Sequence, residues 1–424
     1  MLTKLKPRSE FSRNVLTLMT GTTIAQAIPI AISPILTRIY TPEDFGVFAL
    51  FVAITAIFGS IANGRYELAI MLPKKDEDAI NIFALGFIIT TSISLVLLIL
   101  VIVFHDYFLS LLNNKEIGLW LYFVPITVFF TGVWNILNYF NNRKKRYKGI
   151  AKAIVIKSVI LAIVQLSVGF IKQGAAGLIS GQILSQMFAN MQLLKNILKD
   201  KILISKISKV KIVALAKRYK DFPKYSMWAI LANTLSQHLT NILISTFYSV
   251  ATLGFYSLVQ RVLGMPSSLI GSSIGQVFFQ QATKEKQQTG KAVKTFNATV
   301  KKLIIIGLPA FGILFFIVED LFAFVFGEDW RIAGVYAQIV IPLFFIRFII
   351  ATVSAIDTIM ERQNIFLVFN VILLAVSILL ILTLSERLFE VFLAIFSTCI
   401  SLIYLLYGYI LFKMSNNEFN IWRK

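Results

Sequence analysis

Apolar runs of about twenty residues alternate with short polar corners along the whole chain. A helix needs roughly 20 apolar residues to cross the hydrocarbon core of a membrane, and it satisfies its own backbone hydrogen bonds there. The alternation over about ten residues that is typical of barrel strands does not occur in this sequence. The pattern therefore predicts twelve transmembrane helices. They lie near residues 14–36, 44–64, 79–104, 117–140, 150–172, 175–195, 222–247, 251–279, 297–318, 332–355, 364–384 and 387–412.

The composition agrees with this pattern. Of the 424 residues, 57% are hydrophobic and only 15% are charged. A soluble core could not hide so many apolar side chains. The sequence thus predicts an all-α integral membrane protein.

The corner between the first two helices returns in the second half of the chain. A shift of 208 residues places Tyr40 on Tyr248 and Gly46 on Gly254. Six predicted spans separate the two copies, so both enter the membrane from the same side, as parallel repeats do. We therefore expect two pseudo-symmetric six-helix bundles around a central cleft.

A basic segment separates the two predicted bundles. Lys alternates with Ile, Leu and Val over residues 196–221, as expected for an amphipathic helix in the headgroup layer. Residues 1–195 then form the first six-helix bundle and residues 222–424 the second. A surface linker that merely follows the charge rule for cytoplasmic connections explains the same pattern.

The net charge of +20 is distributed unevenly over this topology. Most of the 41 Lys and Arg residues fall on one side of the membrane when the chain starts in the cytoplasm. This asymmetry follows the positive-inside rule and places both termini in the cytoplasm. The positive net charge is thereby explained without nucleic acid as a partner. The first apolar segment is too long for a cleaved signal peptide, and none is expected.

Two equivalent helices carry a polar stripe. Under the 208-residue shift, Ser33 falls on Asn241 and Thr37 on Ser245. Polar faces at equivalent positions favour a shared water-filled cleft, although direct hydrogen bonding between helices would also explain them. The predicted lining residues are Gln26, Ser33 and Thr37 on the first helix and Asn233, Thr234, Gln237, His238 and Asn241 on the seventh. For His238, both a lining role and proton coupling remain open.

Several cations lie within or at the ends of predicted spans. Arg261 falls close to the midplane of the eighth helix, Lys157 lies within the fifth, and Arg347 lies within the tenth. Arg38 ends the first helix, and Arg65 follows the second. Intramembrane ions are costly unless they meet a cavity or a partner. Snorkelling of the long side chains to the interface, or pairing with backbone carbonyls, is the alternative explanation.

No acidic residue balances these cations inside the predicted spans. All acids fall in loops or at span ends, and the nearest to an interior position is Asp357 at the end of the tenth helix. Unbalanced cations favour an anionic substrate that carries phosphate or carboxylate groups, which arginine binds through its planar fork. No buried acid marks a site for a coupling ion.

The sequence lacks the motifs of an enzyme. It contains no paired carboxylates within a span, no Gly-rich phosphate loop, two His and one Cys, Cys399. We therefore expect no catalytic residues, no metal site and no cofactor.

Three segments near the start resemble the Wzx-type polysaccharide flippases of the multidrug, oligosaccharidyl-lipid and polysaccharide exporter superfamily. They are Thr20-Gly21-Thr22 with Ala25-Gln26, Pro34 to Gly46, and Arg65-Tyr66-Glu67-Leu68-Ala69. The resemblance covers about the first 80 residues; beyond them, span count, charge layout and the corner at residues 253–257 agree.

This resemblance implies a function in the bacterial inner membrane. The protein would move undecaprenyl-pyrophosphate-linked oligosaccharide repeat units from the cytoplasmic to the outer leaflet by alternating access, for O-antigen, lipopolysaccharide or other surface polysaccharide biosynthesis. Its partners would be this lipid-linked anionic oligosaccharide and membrane lipids, with a polysaccharide polymerase as a candidate partner.

Three other functions are weighed against this one. A cation-coupled multidrug exporter of the same superfamily is disfavoured because a cationic drug would require buried carboxylates. A membrane-embedded glycan polymerase or ligase would require a large outer loop, which the chain lacks. A scaffold protein would not require polar stripes in register.

Overall fold

A computed structural model describes residues 10–171, 174–265 and 267–418, and every regular element in these ranges is a helix. This confirms the predicted all-α fold. The helices up to the middle of the chain are α1 (Glu10–Ile39), α2 (Pro42–Ile61), α3 (Tyr66–Ala69), α4 (Asp76–Val103), α5 (His105–Leu112), α6 (Gly118–Leu121), α7 (Val124–Arg143), α8 (Tyr147–Ile171), α9 (Ala176–Leu198), α10 (Lys201–Ile204), α11 (Lys209–Arg218) and α12 (Met227–Phe247). The remaining helices are α13 (Val250–Leu263), α14 (Ser272–Thr289), α15 (Val293–Phe326), α16 (Arg331–Val353), α17 (Ile356–Ile359), α18 (Gln363–Leu384) and α19 (Phe389–Ser415).

Each predicted span is helical over most of its described residues, but not every helix is apolar enough to be assigned to the membrane by composition. Nine helical segments of the described residues have the length and hydropathy of a span. The exceptions are α9, α12 and the pair α13–α14, which was predicted as one helix over 251–279 and is interrupted at Gly264 and by a π-helical turn, Ser267–Gly271. The count of twelve spans stays a prediction.

The chain forms two compact units, one up to His238 and the other from Leu239 onward. This division falls inside α12, beyond the segment 196–221 that the sequence suggests as a linker. The predicted domain limits stay a prediction.

In the first unit, α8 packs along α1 and α9, and α7 packs against α2, α4 and α9. The segment carrying α10 and α11 is docked onto this unit. Asn81 on α4 donates from Nδ2 to the Lys206 carbonyl (3.0 Å) and accepts from the Ser208 amide (2.8 Å), and Tyr66 donates to the Ala216 carbonyl (3.0 Å). Leu215 is buried beneath α11, whereas Val210 is 79% exposed. The basic segment is therefore anchored at one end of α4.

In the second unit, α16 is central and packs against α13, α15 and α19, while α18 packs on α19. These pairings follow those of the first unit, where the fourth long helix likewise packs on the second, third and sixth, and the fifth on the sixth. The two units are thus built on one pattern, as the repeat predicts.

The equivalent corners also share their local geometry. Thr41 caps α2 by accepting a hydrogen bond from the Asp44 amide (3.3 Å), and Ser249 caps α13 by accepting one from the Thr252 amide (3.0 Å). Residues 41 and 249 are related by the same 208-residue shift. A side-chain oxygen at the N-cap satisfies an amide that has no partner within its own helix.

Candidate functional site

The polar stripe of α1 is largely satisfied within its own helix. Ser33 is 1% exposed and donates to the Pro29 carbonyl (2.6 Å), and Thr37 donates to the Pro34 carbonyl (3.1 Å). Gln26, nearer the N-terminal end of the same stripe, is half-buried. Serine and threonine hydroxyls can bond back in this way to a carbonyl of the preceding turn.

The stripe of α12 behaves differently towards its C-terminal end. Thr234 donates to the Ile230 carbonyl (2.8 Å), and the exposed Gln237 donates to Asn233 Oδ1 (3.3 Å). His238 is half-buried. Thr234 and Gln237, in the N-terminal part of the stripe, therefore bond within their own helix, as Ser33 and Thr37 do in α1.

Asn241 instead reaches another helix. Its Nδ2 donates to Gln260 Oε1 on α13 (3.4 Å), and Gln260 also bonds to the hydroxyl of Tyr256. The Oδ1 of Asn241 and the Oγ of Ser245 are buried without a partner in the described part of the chain. Buried polar atoms without partners are costly, which marks this end of α12 as a place where a further group can bind.

Two predicted cations lie on α13 and α16 of the same unit. Arg261 follows Gln260 on α13 and is half-buried, and the exposed Arg347 on α16 acts electrostatically on Tyr256. Arg261 is thus next in sequence to the Gln260 that Asn241 contacts, and Arg347 lies on α16, which packs against α13 in the same unit. This grouping of a cationic and a polar surface suits an anion.

The cations of the first unit lie on separate elements. Lys157 on α8 is half-buried, and its Nζ lies 5.8 Å from the ring centroid of Trp134 on α7, so a cation–π contact stabilises it. Arg38 is exposed at the end of α1 and donates from Nη1 to the Pro34 carbonyl (2.9 Å).

The structure corrects the interpretation of Arg65, because a carboxylate neutralises the charge of this arginine. Its Nη1 lies 3.0 Å from Glu67 Oε1, and Glu67 is only 2% exposed. Arg65 adopts a left-handed backbone conformation (φ 65°) before α3, and its Nε donates to Ser226 Oγ (3.4 Å). Burial raises the pKa of the Glu67 carboxyl, and Arg65 opposes that rise. The expectation of unbalanced cations is therefore wrong at this position.

Asp357 is the second buried acid. The sequence predicted only that it lies at the end of the tenth helix, nearer to the membrane interior than any other acid. It is 4% exposed on α17, and the Tyr407 hydroxyl of α19 donates to its Oδ2. Its Oδ1 is buried and has no partner among the described residues. Asp357 lines a cavity of about 610 Å³ in the second unit. Hydropathy alone could not reveal this, because the cavity and the Tyr407 hydrogen bond are formed by residues from several helices.

Within the described ranges, no group of three or more His, Cys, Asp or Glu residues is placed to hold a metal ion.

The comparison that decides the family is a match over residues 35–334 to the model of a polysaccharide biosynthesis protein family. The chain belongs to the polysaccharide biosynthesis protein family. This membership, together with the fold, agrees with the resemblance to the Wzx-type flippases. No protein with a curated description matches the sequence.

Similar solved structures identify the fold of this polysaccharide biosynthesis protein. An inward-facing multidrug resistance MATE family transporter of the MOP superfamily is similar over 94% of this chain and 96% of its own (TM-score 0.67, 12% identity). The lipid II flippase MurJ in an inward closed conformation is similar over 96% of this chain and 90% of its own (TM-score 0.68, 14% identity). A MOP superfamily transporter from Pyrococcus furiosus is similar over 95% and 96% (TM-score 0.57, 11% identity).

The polysaccharide biosynthesis protein therefore has the fold of MOP superfamily transporters and is a multi-pass membrane protein. The solved structures that it resembles include transporters and a flippase.

Proposed function

We propose that this protein moves undecaprenyl-pyrophosphate-linked oligosaccharide repeat units from the cytoplasmic to the outer leaflet of the bacterial inner membrane. The observation that carries the proposal is membership of a polysaccharide biosynthesis family on a fold that a lipid II flippase shares. Such a substrate combines a lipid tail, a pyrophosphate and a glycan.

The proposed mechanism is alternating access. Two six-helix bundles, residues 1–195 and 222–424, joined by the basic segment 196–221, would open a central cleft to each side in turn. With both termini in the cytoplasm, substrate enters from the leaflet in which it is made. A polysaccharide polymerase would receive the repeat unit at the outer surface.

The proposed pyrophosphate site is centred on Arg261 and Arg347 beside the Asn241–Gln260 hydrogen bond. Arginine keeps its charge when dehydrated and can hold two phosphate oxygens at once. Lys157 and Arg38 would contribute positive potential from the first bundle. Arg65 would contribute less, since Glu67 already neutralises it.

The polar residues of the two stripes are proposed to line the cleft. A hydrated lining lets a glycan exchange its hydrogen bonds with water for bonds with the protein at little cost. The proposed lining residues are Gln26, Ser33, Thr37, Asn233, Thr234, Gln237, His238 and Asn241.

Cation-coupled multidrug export is the second candidate, and one observation favours it. A cationic drug requires buried carboxylates, and both Glu67 and Asp357 are buried. Glu67 is already paired with Arg65, which leaves Asp357 as the acid that could serve a cation.

Mass spectrometry of undecaprenyl-linked glycans from cells that lack this protein separates the two candidates. The flippase proposal predicts that one complete lipid-linked repeat unit accumulates while the surface glycan is lost. Unchanged lipid-linked glycans together with increased sensitivity to cationic drugs would favour the exporter. Re-expression of the intact chain is the control.

A further inference from the structure

The cavity beside Asp357 has the size and lining of a small-molecule site. Its volume is about 610 Å³, within the range of about 300–1,000 Å³ that such sites occupy. It lies between the π-helical turn with α14, the α16–α17 junction and the start of α18. The polar and aromatic residues of its wall include Asp357, Ser267, Gln276, Thr358, Phe279 and Phe366.

The Asp357 carboxylate is held in a fixed orientation. Tyr407 donates to its Oδ2, and the Tyr407 ring stacks on Phe369 with centroids 4.0 Å apart and planes 11° apart. Its other oxygen, Oδ1, is left without a hydrogen-bond donor in the described part of the structure. A buried carboxylate oxygen that lacks a donor is costly, so a ligand that brings one is strongly favoured.

Two aromatic side chains of the same wall remain uncovered. Phe279 is 43% exposed and Phe366 is 41% exposed. Phenyl faces offer a flat apolar surface, whereas the carboxylate, hydroxyl and amide groups of the wall are hydrogen-bonding partners. A ligand that is apolar on its flat faces and carries hydroxyl donors around its edge would satisfy both parts.

A small metal ion fits this wall less well. Oxygen-ligated cations take several oxygen ligands, often more than one carboxylate, and among the described residues no second acid lines this cavity. The neighbouring Glu361 is 84% exposed and pairs with Lys286 (2.9 Å), whose Nζ also donates to the Ile359 carbonyl (2.6 Å). Nor would an ion account for the exposed phenyl faces.

We propose that this cavity binds one sugar ring of the transported glycan, with Asp357 accepting hydrogen bonds from a ring hydroxyl or amino group and a phenyl face covering the ring. The inference rests on the proposed function. It adds a glycan site, separate from the arginines that would bind the pyrophosphate. Charge-assisted hydrogen bonds to the carboxylate would make the site selective for the position of that donor.

Saturation-transfer NMR on the intact protein in lipid nanodiscs tests this, with N-acetyl-D-glucosamine, D-galactose and D-glucosamine as separate probes. Asp357→Asn keeps the shape of the side chain and an oxygen to accept from Tyr407, but removes the charge. Phe366→Ala removes an exposed ring without opening the core. The matched controls are Glu361→Gln, an exposed acid outside the cavity, and Phe324→Ala, a ring that is 83% exposed on α15.

The proposal predicts that at least one sugar binds the wild-type protein, and that both cavity variants weaken it at least fivefold while both controls do not. It is overturned if no sugar binds, if the cavity variants bind as the wild type does, or if Asp357→Asn changes Na⁺ or proton binding only. Lipid-linked glycan accumulation in deletion cells is measured in parallel. Accumulation without sugar binding sinks the inference and leaves the flippase proposal standing. Sugar binding without accumulation sinks the flippase proposal, and with it the assignment of the bound sugar to a transported glycan.

Discussion

Tyr40 and Tyr248 make the same hydrogen bond in the two units. Tyr40 donates to the Gln165 carbonyl on α8 (2.6 Å), and Tyr248 donates to the Leu384 carbonyl at the end of α18 (2.9 Å). Burial raises the pKa of both hydroxyls to about 12, so both remain protonated donors at neutral pH. The bond ties the first corner of each unit to its fifth long helix, which makes it a structural feature of the repeat.

The Tyr40 bond depends on space that a glycine leaves. A Cβ at Gly177 would overlap the Tyr40 hydroxyl, whereas a Cβ at Gly312 on α15 would meet nothing within 4 Å. Gly177→Ala should therefore destabilise the protein by about 1–3 kcal/mol, the usual cost of overpacking. Thermal unfolding in detergent checks this, with Gly312→Ala as the control. Equal unfolding temperatures for the two variants would show that the corner is not tightly packed.

The buried Glu67 should make stability depend on pH. Its ordinary pKa is 4.5, and burial raises the pKa in the folded protein despite the Arg65 charge. The folded state then binds this proton more tightly, so the Glu67 contribution is present below 4.5 and is lost as the pH rises through the folded pKa. We expect the unfolding temperature of the wild type to fall over this range relative to Glu67→Gln.

The control for that experiment is Glu43→Gln, which changes an exposed acid in the first turn of α2. It should keep the pH dependence of the wild type. Parallel curves for the wild type and Glu67→Gln would contradict the burial argument.

The long apolar helices could be predicted from sequence because their length and composition suffice. The second helix was predicted from residue 44 by its apolar run, and α2 begins two residues earlier, at Pro42, where Thr41 is the N-cap. The prediction was wrong over 251–279, where one helix was expected. Apolar character continues past Gly264, so hydropathy does not register the interruption, and the polar half of α14 up to Thr289 lies outside any apolar run.

The site was less predictable, because its chemistry arises from tertiary contacts. Arg65 and Glu67 are near neighbours in sequence, yet only the folded turn shows that Glu67 is buried and pairs with that arginine. Gln260 was not singled out, since its importance depends on Asn241 reaching it from α12. Asp357 needs Tyr407, fifty residues away, to be recognised as an oriented acceptor.

Arg261 is expected to be required for transport. Arg261→Ala should lower transport at least tenfold at unchanged protein level, because the substrate would lose a fork of charged donors. Arg387→Ala, which removes an exposed arginine just beyond α18, should have no effect. Surface polysaccharide per unit of membrane-inserted protein is the measurement. A near-normal level in Arg261→Ala would remove this residue from the site.

The Asn241–Gln260 bond should act as a unit. Asn241→Leu and Gln260→Leu should each impair transport severalfold, and the double variant should be no worse than either alone, because the second change finds the bond already broken. Transport rates of the four proteins give this coupling directly. Fully additive losses would mean that the two side chains act independently.

Water access to the same position can be measured separately. A cysteine at position 241, in a chain whose native Cys399 is replaced by Ala, should react with a water-soluble thiol reagent. The reaction should slow when lipid-linked glycan is present. A cysteine that never reacts would show dry helix packing in place of a cleft.

The most direct test of the central claim measures in which leaflet the lipid-linked glycan lies. Spheroplasts of cells lacking the protein are treated with membrane-impermeant periodate, and undecaprenyl-linked glycans are then analysed by mass spectrometry. The flippase account predicts that the accumulated glycan stays protected from oxidation and becomes reactive when the wild-type chain is expressed, but not Arg261→Ala. Glycan that is oxidised equally with and without the protein would contradict it.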